Sequence, residues 1–299
     1  MIGRRRCDKE PGWVGDGFRM KVLITGAKGM LGQDMVAEFQ RRDYEVHAAD
    51  HKALDITDIQ AVRAAITALK PDIVVNCAAY TDVDKAESEP EVAMRVNGLG
   101  PRNLALACEA TGAVLLHIST DYVFDGEKEG PYEIWDTPNP INVYGKSKLW
   151  GENYVRSLMH RYFIVRTSWL FGKGGRNFVT TMLELAKRGE PIRVVNDQRG
   201  CPTYTVDLAR ACVDLVESGC FGIYHVTNQG ATTWYEFAST IFHASNVTVS
   251  VFEPITSLQF MRPARRPKNS EMNLFPLGET IGTVPRGWMS ALCEYVSSL

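Results

Sequence analysis

The chain has 299 residues, 33 Lys and Arg against 35 Asp and Glu for a formal charge of −2, and 45% hydrophobic residues. That length can bury a sizeable core, while so even a charge balance offers no broad basic field, which excludes neither fold class but disfavours nucleic acid and anionic membrane as partners. No apolar run reaches the ~18 residues of a membrane span, and seven scattered cysteines without metal-ligand spacing fit reduced thiols in a cytoplasmic protein.

Residues 1–19 carry Arg4, Arg5, Arg6 and Lys9, but Cys7-Asp8-Lys9-Glu10-Pro11-Gly12 stands where a secretory signal would need an apolar stretch. They read as a disordered N-terminal extension ahead of Met20. From Lys21 onward, short continuous apolar runs alternate with segments of helical spacing, the pattern of βαβ units around a buried parallel sheet. Strands are expected at 21–25, 45–49, 73–76, 114–119 and 163–167. Helices are expected between them at 31–40, 59–69, 90–111 and 143–158, with Thr57 capping the second. Right-handed crossovers then give an α/β fold with a Rossmann-type doubly wound parallel sheet.

Beyond Trp169 Gly and Pro become denser. Helices are expected at 178–187, 206–217, 234–243 and 288–296, and strands at 192–194 and 222–226. This part reads as a smaller, partly interwoven C-terminal lobe closing over the carboxyl edge of the sheet. The division is residues 20–170 for the Rossmann domain and 171–299 mainly for a substrate-binding lobe, with some segments returning to the first.

The first strand runs into Gly26-Ala27-Lys28-Gly29-Met30-Leu31-Gly32 and then straight into helix. Gly26 permits a tight turn, Gly29 lets backbone approach a pyrophosphate, and Gly32 lets the helix pack on the strand. Around Met30 and Leu31 the helix start offers free N–H donors to phosphate. Asp50 ends the second strand, where an acidic residue reads the adenosine ribose and favours NAD over NADP. Its neighbours His51 and Lys52 suit a 2′-phosphate, so both cofactors stay open, as does a plain solvated loop. Asp55 and Ile56 are candidates to bracket the adenine. Ala78, Ala79, Tyr80 and Thr81, after the third strand, sit where a ribose and pyrophosphate would pass.

The fourth strand ends in Ser119-Thr120-Asp121-Tyr122-Val123-Phe124-Asp125-Gly126, and a later helix begins Tyr144-Gly145-Lys146-Ser147-Lys148. Tyr144 and Lys148 are four residues apart and so share a helical face, where an ammonium beneath the phenol favours its ionised form. Tyr144 is the candidate acid–base and Lys148 a candidate holder of the nicotinamide ribose. A hydroxyl from Thr120 or Ser119 would orient the reacting oxygen. Cys201 has no histidine in a recognisable arrangement with it and reads as a small buried hydrophobe.

From Met20 to about Val296 these residues resemble the extended short-chain dehydrogenase/reductases, and among them the dTDP-4-dehydrorhamnose reductase family. The resemblance rests on the glycine loop, NCAAYTDVDKAESE at 76–89, STDYVFDG at 119–126, NVYGKSK at 142–148, RTSW at 166–169, NDQRGCPT at 196–203, TTW at 232–234 and Arg262 through Asn269-Ser270. It implies hydride transfer from NADPH or NADH to the 4-keto carbon of a dTDP-linked 4-keto-6-deoxyhexose. Tyr144 would then protonate the developing alkoxide, Lys148 would lower its pKa and bind cofactor ribose, and Thr120 would tune the proton transfer. Ser119, Thr120, Asp121 and Trp169 would meet the sugar, and Asn196, Asp197, Gln198 and Arg199 would line the nucleotide side.

Some members of that family dimerise through Mg²⁺ held by acidic residues near the chain end. Here Glu271, Glu279 and Glu294 form no such cluster, so no metal is expected, and the chain reads as a monomer or homodimer. Two other readings remain open. One is a different sugar-nucleotide keto-reductase or epimerase on the same scaffold. The other is a non-catalytic regulatory subunit like the methionine adenosyltransferase beta subunit.

Overall fold

The computed structural model describes residues 19–299, so the extension expected at 1–19 lies, apart from Arg19, outside the described residues. The chain runs β1 (Lys21–Thr25), α1 (Met30–Arg41), β2 (Glu45–Ala49), α2 (Ile59–Leu69), β3 (Ile73–Asn76), α3 (Val83–Ser88) and α4 (Pro90–Met94). A π-helical turn (Arg95–Leu99) leads into α5 (Gly100–Thr111), then β4 (Val114–Thr120), α6 (Val143–Leu158) and β5 (Tyr162–Thr167). There follow β6 (Leu170–Phe171), α7 (Phe178–Lys187), β7 (Ile192–Val195), β8 (Arg199–Gly200), β9 (Thr203–Tyr204) and α8 (Thr205–Ser218). The last elements are β10 (Gly222–His225), β11 (Thr232–Thr233), α9 (Trp234–Ala244), β12 (Phe252–Ile255), α10 (Leu277–Ile281) and α11 (Trp288–Ser297).

The central sheet has six strands in the order β10-β5-β4-β3-β1-β2, all parallel, so the Rossmann-type doubly wound sheet is present. Its inner strands are buried along almost their whole length, as strands covered on both faces must be. On one face Val22, Ile24 and Leu116 pack with Met35 and Phe39 of α1 and with Leu208 and Cys212 of α8. On the other, Leu23, Val74 and Leu115 pack with Val62, Ile66, Leu104 and Val155 from α2, α5 and α6. The order reverses between β1 and β3, the switch point at which open α/β sheets hold ligands. A separate aromatic core joins Phe171, Tyr204, Phe237, Trp288 and Tyr295, beside three two-stranded pairings. Although they come after residue 171, β10 and α8 belong to the layers of the main sheet.

Two local expectations are corrected. The cap of α2 is Asp58, whose carboxylate accepts from the N–H groups of Gln60 and Ala61; Thr57 stands one residue too early and turns to Asp55. The stretch 90–111 is not one α-helix, because Pro101 has no N–H to offer the carbonyl of Asn97. The freed carbonyl lies where a side chain on Gly151 would collide with it, and the backbone widens into the π turn. Within 81–89, where no element is expected, Asp82 caps α3 through a hydrogen bond from Lys85 N–H.

Candidate active site

The turn after β1 lies directly against the turn after β3. Gly26 has φ +67°, and a Cβ there would stand 2.6 Å from Ala78 N. A Cβ on Gly32 would overlap the carbonyl of Gly26 and crowd Ala27, so glycine is required there by the loop itself and not, as expected, by the strand. Gly29 precedes α1 without a side-chain cap, and the first turn of the helix holds no acidic residue. That uncapped, positive helix start, with Met30 partly exposed and Leu31 in the core, is a cradle suited to a pyrophosphate.

At the end of β2, Asp50 accepts from the N–H groups of Lys52 and Ala53, at 3.1 and 2.9 Å, and pairs with the Lys28 ammonium. Lys28 and these N–H donors hold its carboxyl below the usual range. The cation paired with Asp50 therefore comes from the glycine loop and not from the neighbouring His51 or Lys52. Asp55 accepts from the N–H and the hydroxyl of Thr57, at 2.9 and 2.8 Å. Ile56 is 3% exposed, its side chain packs over Gly100, and its carbonyl accepts from Asn103 Nδ2 at 3.0 Å, so the side chain does not bracket an adenine as expected.

After β3, Ala78 N–H donates to Asn76, Ala79 is half-buried and Thr81 is exposed. Tyr80 is held by its backbone: its N–H donates to Asn97 Oδ1 at 2.8 Å, and Asn97 Nδ2 donates to its carbonyl at 3.0 Å. Asn97, in the π turn, also donates to Ser147 on α6. This fastening of the loop to the helix was not anticipated.

The Asn142 side chain accepts from Gly145 N–H at 2.7 Å and starts α6, placing Tyr144 in its first turn and Lys148 one turn on. Tyr144 meets the Thr120 hydroxyl, and its ring lies edge-on to Tyr122 at 5.8 Å. Burial pushes the phenol up to about 12, with Thr120 acting the other way. Thr120 donates to Asp121 Oδ1 at 2.9 Å. Asp121 is 3% exposed, and burial raises its carboxyl to about 6 against hydrogen bonds from Ser270 and Thr120.

Two expected contacts fall elsewhere. The Lys148 ammonium donates to the Ile118 carbonyl at 2.6 Å, on the strand beside Thr120, and not to the phenol. Burial lowers its pKa to about 8, opposed by Glu152. The Ser119 hydroxyl, expected at the substrate, donates at 2.5 Å to Glu152 in the core, which leaves Thr120 as the strand-end hydroxyl at Tyr144.

Around the cleft, Trp169 adopts φ +48° and stacks on Trp234 with ring centroids 3.6 Å apart, and a side chain on Gly200 would strike its ring. Arg199 pairs with Glu271 at 2.9 Å, Gln198 donates to Ser257, Asp197 accepts from Ser257, and Asn196 accepts from Thr233. Burial alone would raise the Asp84 carboxyl, but Arg266 and Arg262 hold it well below the usual range and tie α3 to the segment at 262–266. Arg266 also reaches Tyr122. Cys201 is 3% exposed and burial pushes its thiol up to about 11, a setting that suppresses the thiolate. Among the described residues no group of three or more His, Cys, Asp or Glu is placed to hold a metal, and no helix is long and apolar enough to cross a membrane.

Residues 20–299 match the family model for the RmlD substrate binding domain. The chain is 44% identical, over 94% of its length and 94% of the relative's, to a dTDP-4-dehydrorhamnose reductase of Streptomyces griseus. It is 43% identical, over 92% of its length and 96% of the relative's, to the spore coat polysaccharide biosynthesis protein SpsK of Bacillus subtilis (strain 168). Among solved structures it is similar to the dTDP-4-dehydrorhamnose reductase of Bacillus anthracis str. Ames in complex with NADP. There the TM-score is 0.92 at 42% identity, covering 94% of this chain and 100% of that one.

Proposed function

The chain belongs to the RmlD substrate-binding-domain family, and from that premise we propose that it reduces the 4-keto group of dTDP-4-dehydro-L-rhamnose, giving dTDP-L-rhamnose for nucleotide-sugar and cell-surface polysaccharide biosynthesis. The observation that carries this reading is the convergence of Thr120, Tyr144 and Lys148 at the carboxyl end of β4, next to the open glycine cradle after β1.

NADPH or NADH, when bound, supplies the hydride that reduces the keto carbon. The uncapped start of α1, from Gly29 to Gly32, holds the pyrophosphate through backbone N–H groups, with Gly26 keeping the turn open beneath it. Lys28 beside Asp50 provides a positive charge that a 2′-phosphate needs, and the relative from Bacillus anthracis was solved with NADP; both support use of NADPH. Ala78, Ala79, Tyr80 and Thr81 form the wall opposite the cradle. Asp55 and the backbone of Ile56 border the adenine side.

In the direction of reduction the proton donor must be a neutral phenol, and burial keeps Tyr144 in that form. As hydride reaches carbon, the carbonyl π pair moves to oxygen and Tyr144 gives its proton to that oxygen, leaving a phenolate that solvent reprotonates. The Thr120 hydroxyl, donated to Asp121 in the substrate-free chain, turns its single O–H to the same oxygen and holds it in line. Lys148, fixed to Ile118, presents its remaining N–H bonds to the nicotinamide ribose and stabilises the transient phenolate. Asp121 and the partly exposed Trp169 meet the sugar. Residues 20–170 carry the dinucleotide, and residues 171–299 mainly the sugar nucleotide.

The test is NAD(P)H consumption by purified protein given the keto sugar, made in situ from dTDP-glucose by a dehydratase and an epimerase. The reading requires oxidation stoichiometric with keto sugar, faster with one cofactor than the other. Binding of NAD(P)H with no net oxidation would instead indicate an epimerase that recycles its cofactor or a regulatory subunit.

A further inference from the structure

Beneath the reacting centre lies a buried group that the mechanism above does not use. Tyr144, Lys148 and Glu152 are spaced four residues apart and so line one face of α6. Each meets the end of β4 at a successive residue: Lys148 donates to the Ile118 carbonyl at 2.6 Å, Glu152 accepts from the Ser119 hydroxyl at 2.5 Å, and Tyr144 meets Thr120. Helix and strand are thus hydrogen-bonded at two consecutive positions, Ile118 and Ser119, directly before Thr120.

Glu152 is fully buried and is itself clamped by Arg166 of β5, which donates through Nε at 3.0 Å and Nη2 at 2.7 Å. Arg166 is 1% exposed, lies 5.1 Å over the Phe124 ring, and leaves Nη1 buried without a hydrogen-bond partner. Breaking a buried pair of this kind strands a charge, whereas apolar residues could fill the same volume without that cost. A purely structural filler would not need ions here, and the ions face the one buried ammonium of the site.

Resting on the reading above, we propose that Glu152 is a positioning residue for the reduction: it locks Ser119 and the end of β4 to α6 and sets the buried negative charge that Lys148 faces. The other titratable groups around Lys148 supply no such charge. Cys77, after β3, has its thiol pushed up to about 12 by burial and stays neutral. His117, on β4, is held neutral by burial and by Lys148 itself, and bonds Asn76. Arg166, on β5, is a cation turned onto Glu152. Burial draws Lys148 down to about 8, and Glu152 is the first opposing influence. Without that carboxylate the ammonium would be lost at lower pH, and with it the positive charge and one of the two N–H donors left for the cofactor ribose.

The test is NADPH affinity, read by nicotinamide fluorescence from neutral to alkaline pH, for the parent, Glu152→Gln, Glu152→Asp and the double variant Glu152→Gln with Arg166→Met. In the parent, affinity should fall as pH rises through about 8. Glu152→Gln should move that fall to lower pH by about one unit, and Glu152→Asp should restore it in part. The double variant leaves no stranded charge; it decides the question if the single variant does not fold, and should shift in the same direction. A fall that stays at its parental pH, with affinity merely lower throughout, would overturn the proposal. Because the readout is binding and not turnover, it stands or falls apart from the identity of the sugar.

Discussion

At the residue scale, the site is a small set of groups whose burial fixes their charge state. Burial keeps the Tyr144 phenol neutral, as the proposed proton donor must be, so Tyr144→Phe, which removes only the hydroxyl, should lower kcat by roughly 10²- to 10⁴-fold. NADPH affinity should stay near parental, measured by fluorescence titration; lost binding would contradict the role assigned. Asp121 tests the electrostatics differently. Its folded pKa of about 6 lies above the ordinary 3.8, so the folded chain binds more protons than the unfolded chain between those values. Stability therefore falls as pH rises from about 4 to 6. Asp121→Asn keeps the acceptor for Thr120 and removes this dependence. At neutral pH it should gain about 3 kcal/mol, with no gain below pH 4 in melting experiments. A stability difference that does not change with pH would sink this account of Asp121.

At the scale of single elements, much of the chain was legible, for identifiable reasons. Parallel strands buried on both faces leave continuous apolar runs, and the expected bounds of β1, β2 and β3 coincide with those found. The helix α6 also begins and ends where its periodicity placed it. What failed was local chemistry. Thr57 and Asp58 are both good caps by type, and only the position of Ile59 as the first helical residue decides between them. Asp58→Ala should cost about 1 kcal/mol in urea unfolding, and Thr57→Ala distinctly less; equal losses would refute the assignment. The π turn was invisible to periodicity because its cause is one missing N–H at Pro101 with room for a carbonyl at Gly151. In the glycine loop the spacing was legible but the reason for Gly32 was not, since its contact is with Gly26 in the same loop. Gly32→Ala must displace that carbonyl, and should weaken NADPH binding roughly tenfold, about 1.4 kcal/mol, in the same titration. Unchanged affinity would mean that the loop does not hold the pyrophosphate.

At the scale of the whole molecule, the switch point between β1 and β3 brings two loops far apart in sequence, around Gly26 and around Ala78, into contact. Side-chain fastenings across that distance left no trace in the sequence. Asn97 ties the β3 loop to α6, Asp84 ties α3 to the segment at 262–266, and Glu152 ties α6 to β4 and β5. Each joins residues that neither periodicity nor motif spacing relates. The constellation of Thr120, Tyr144 and Lys148 was legible because Thr120 ends a strand, Tyr144 opens a helix and Lys148 follows it by one turn, whereas the partners of Lys148 and Ser119 could not be read without the packing.

The central claim is that this fold delivers a hydride to one carbon of a dTDP-linked keto sugar and that Tyr144 closes the reaction with a proton. Its most direct measurement is NMR of the sugar product after reaction with NADPH deuterated at the transferable position of the nicotinamide. Deuterium is expected at C4 of dTDP-L-rhamnose from the parent protein, and none above background from Tyr144→Phe. Product without deuterium at C4, or equal labelling by the Tyr144→Phe variant, would contradict it.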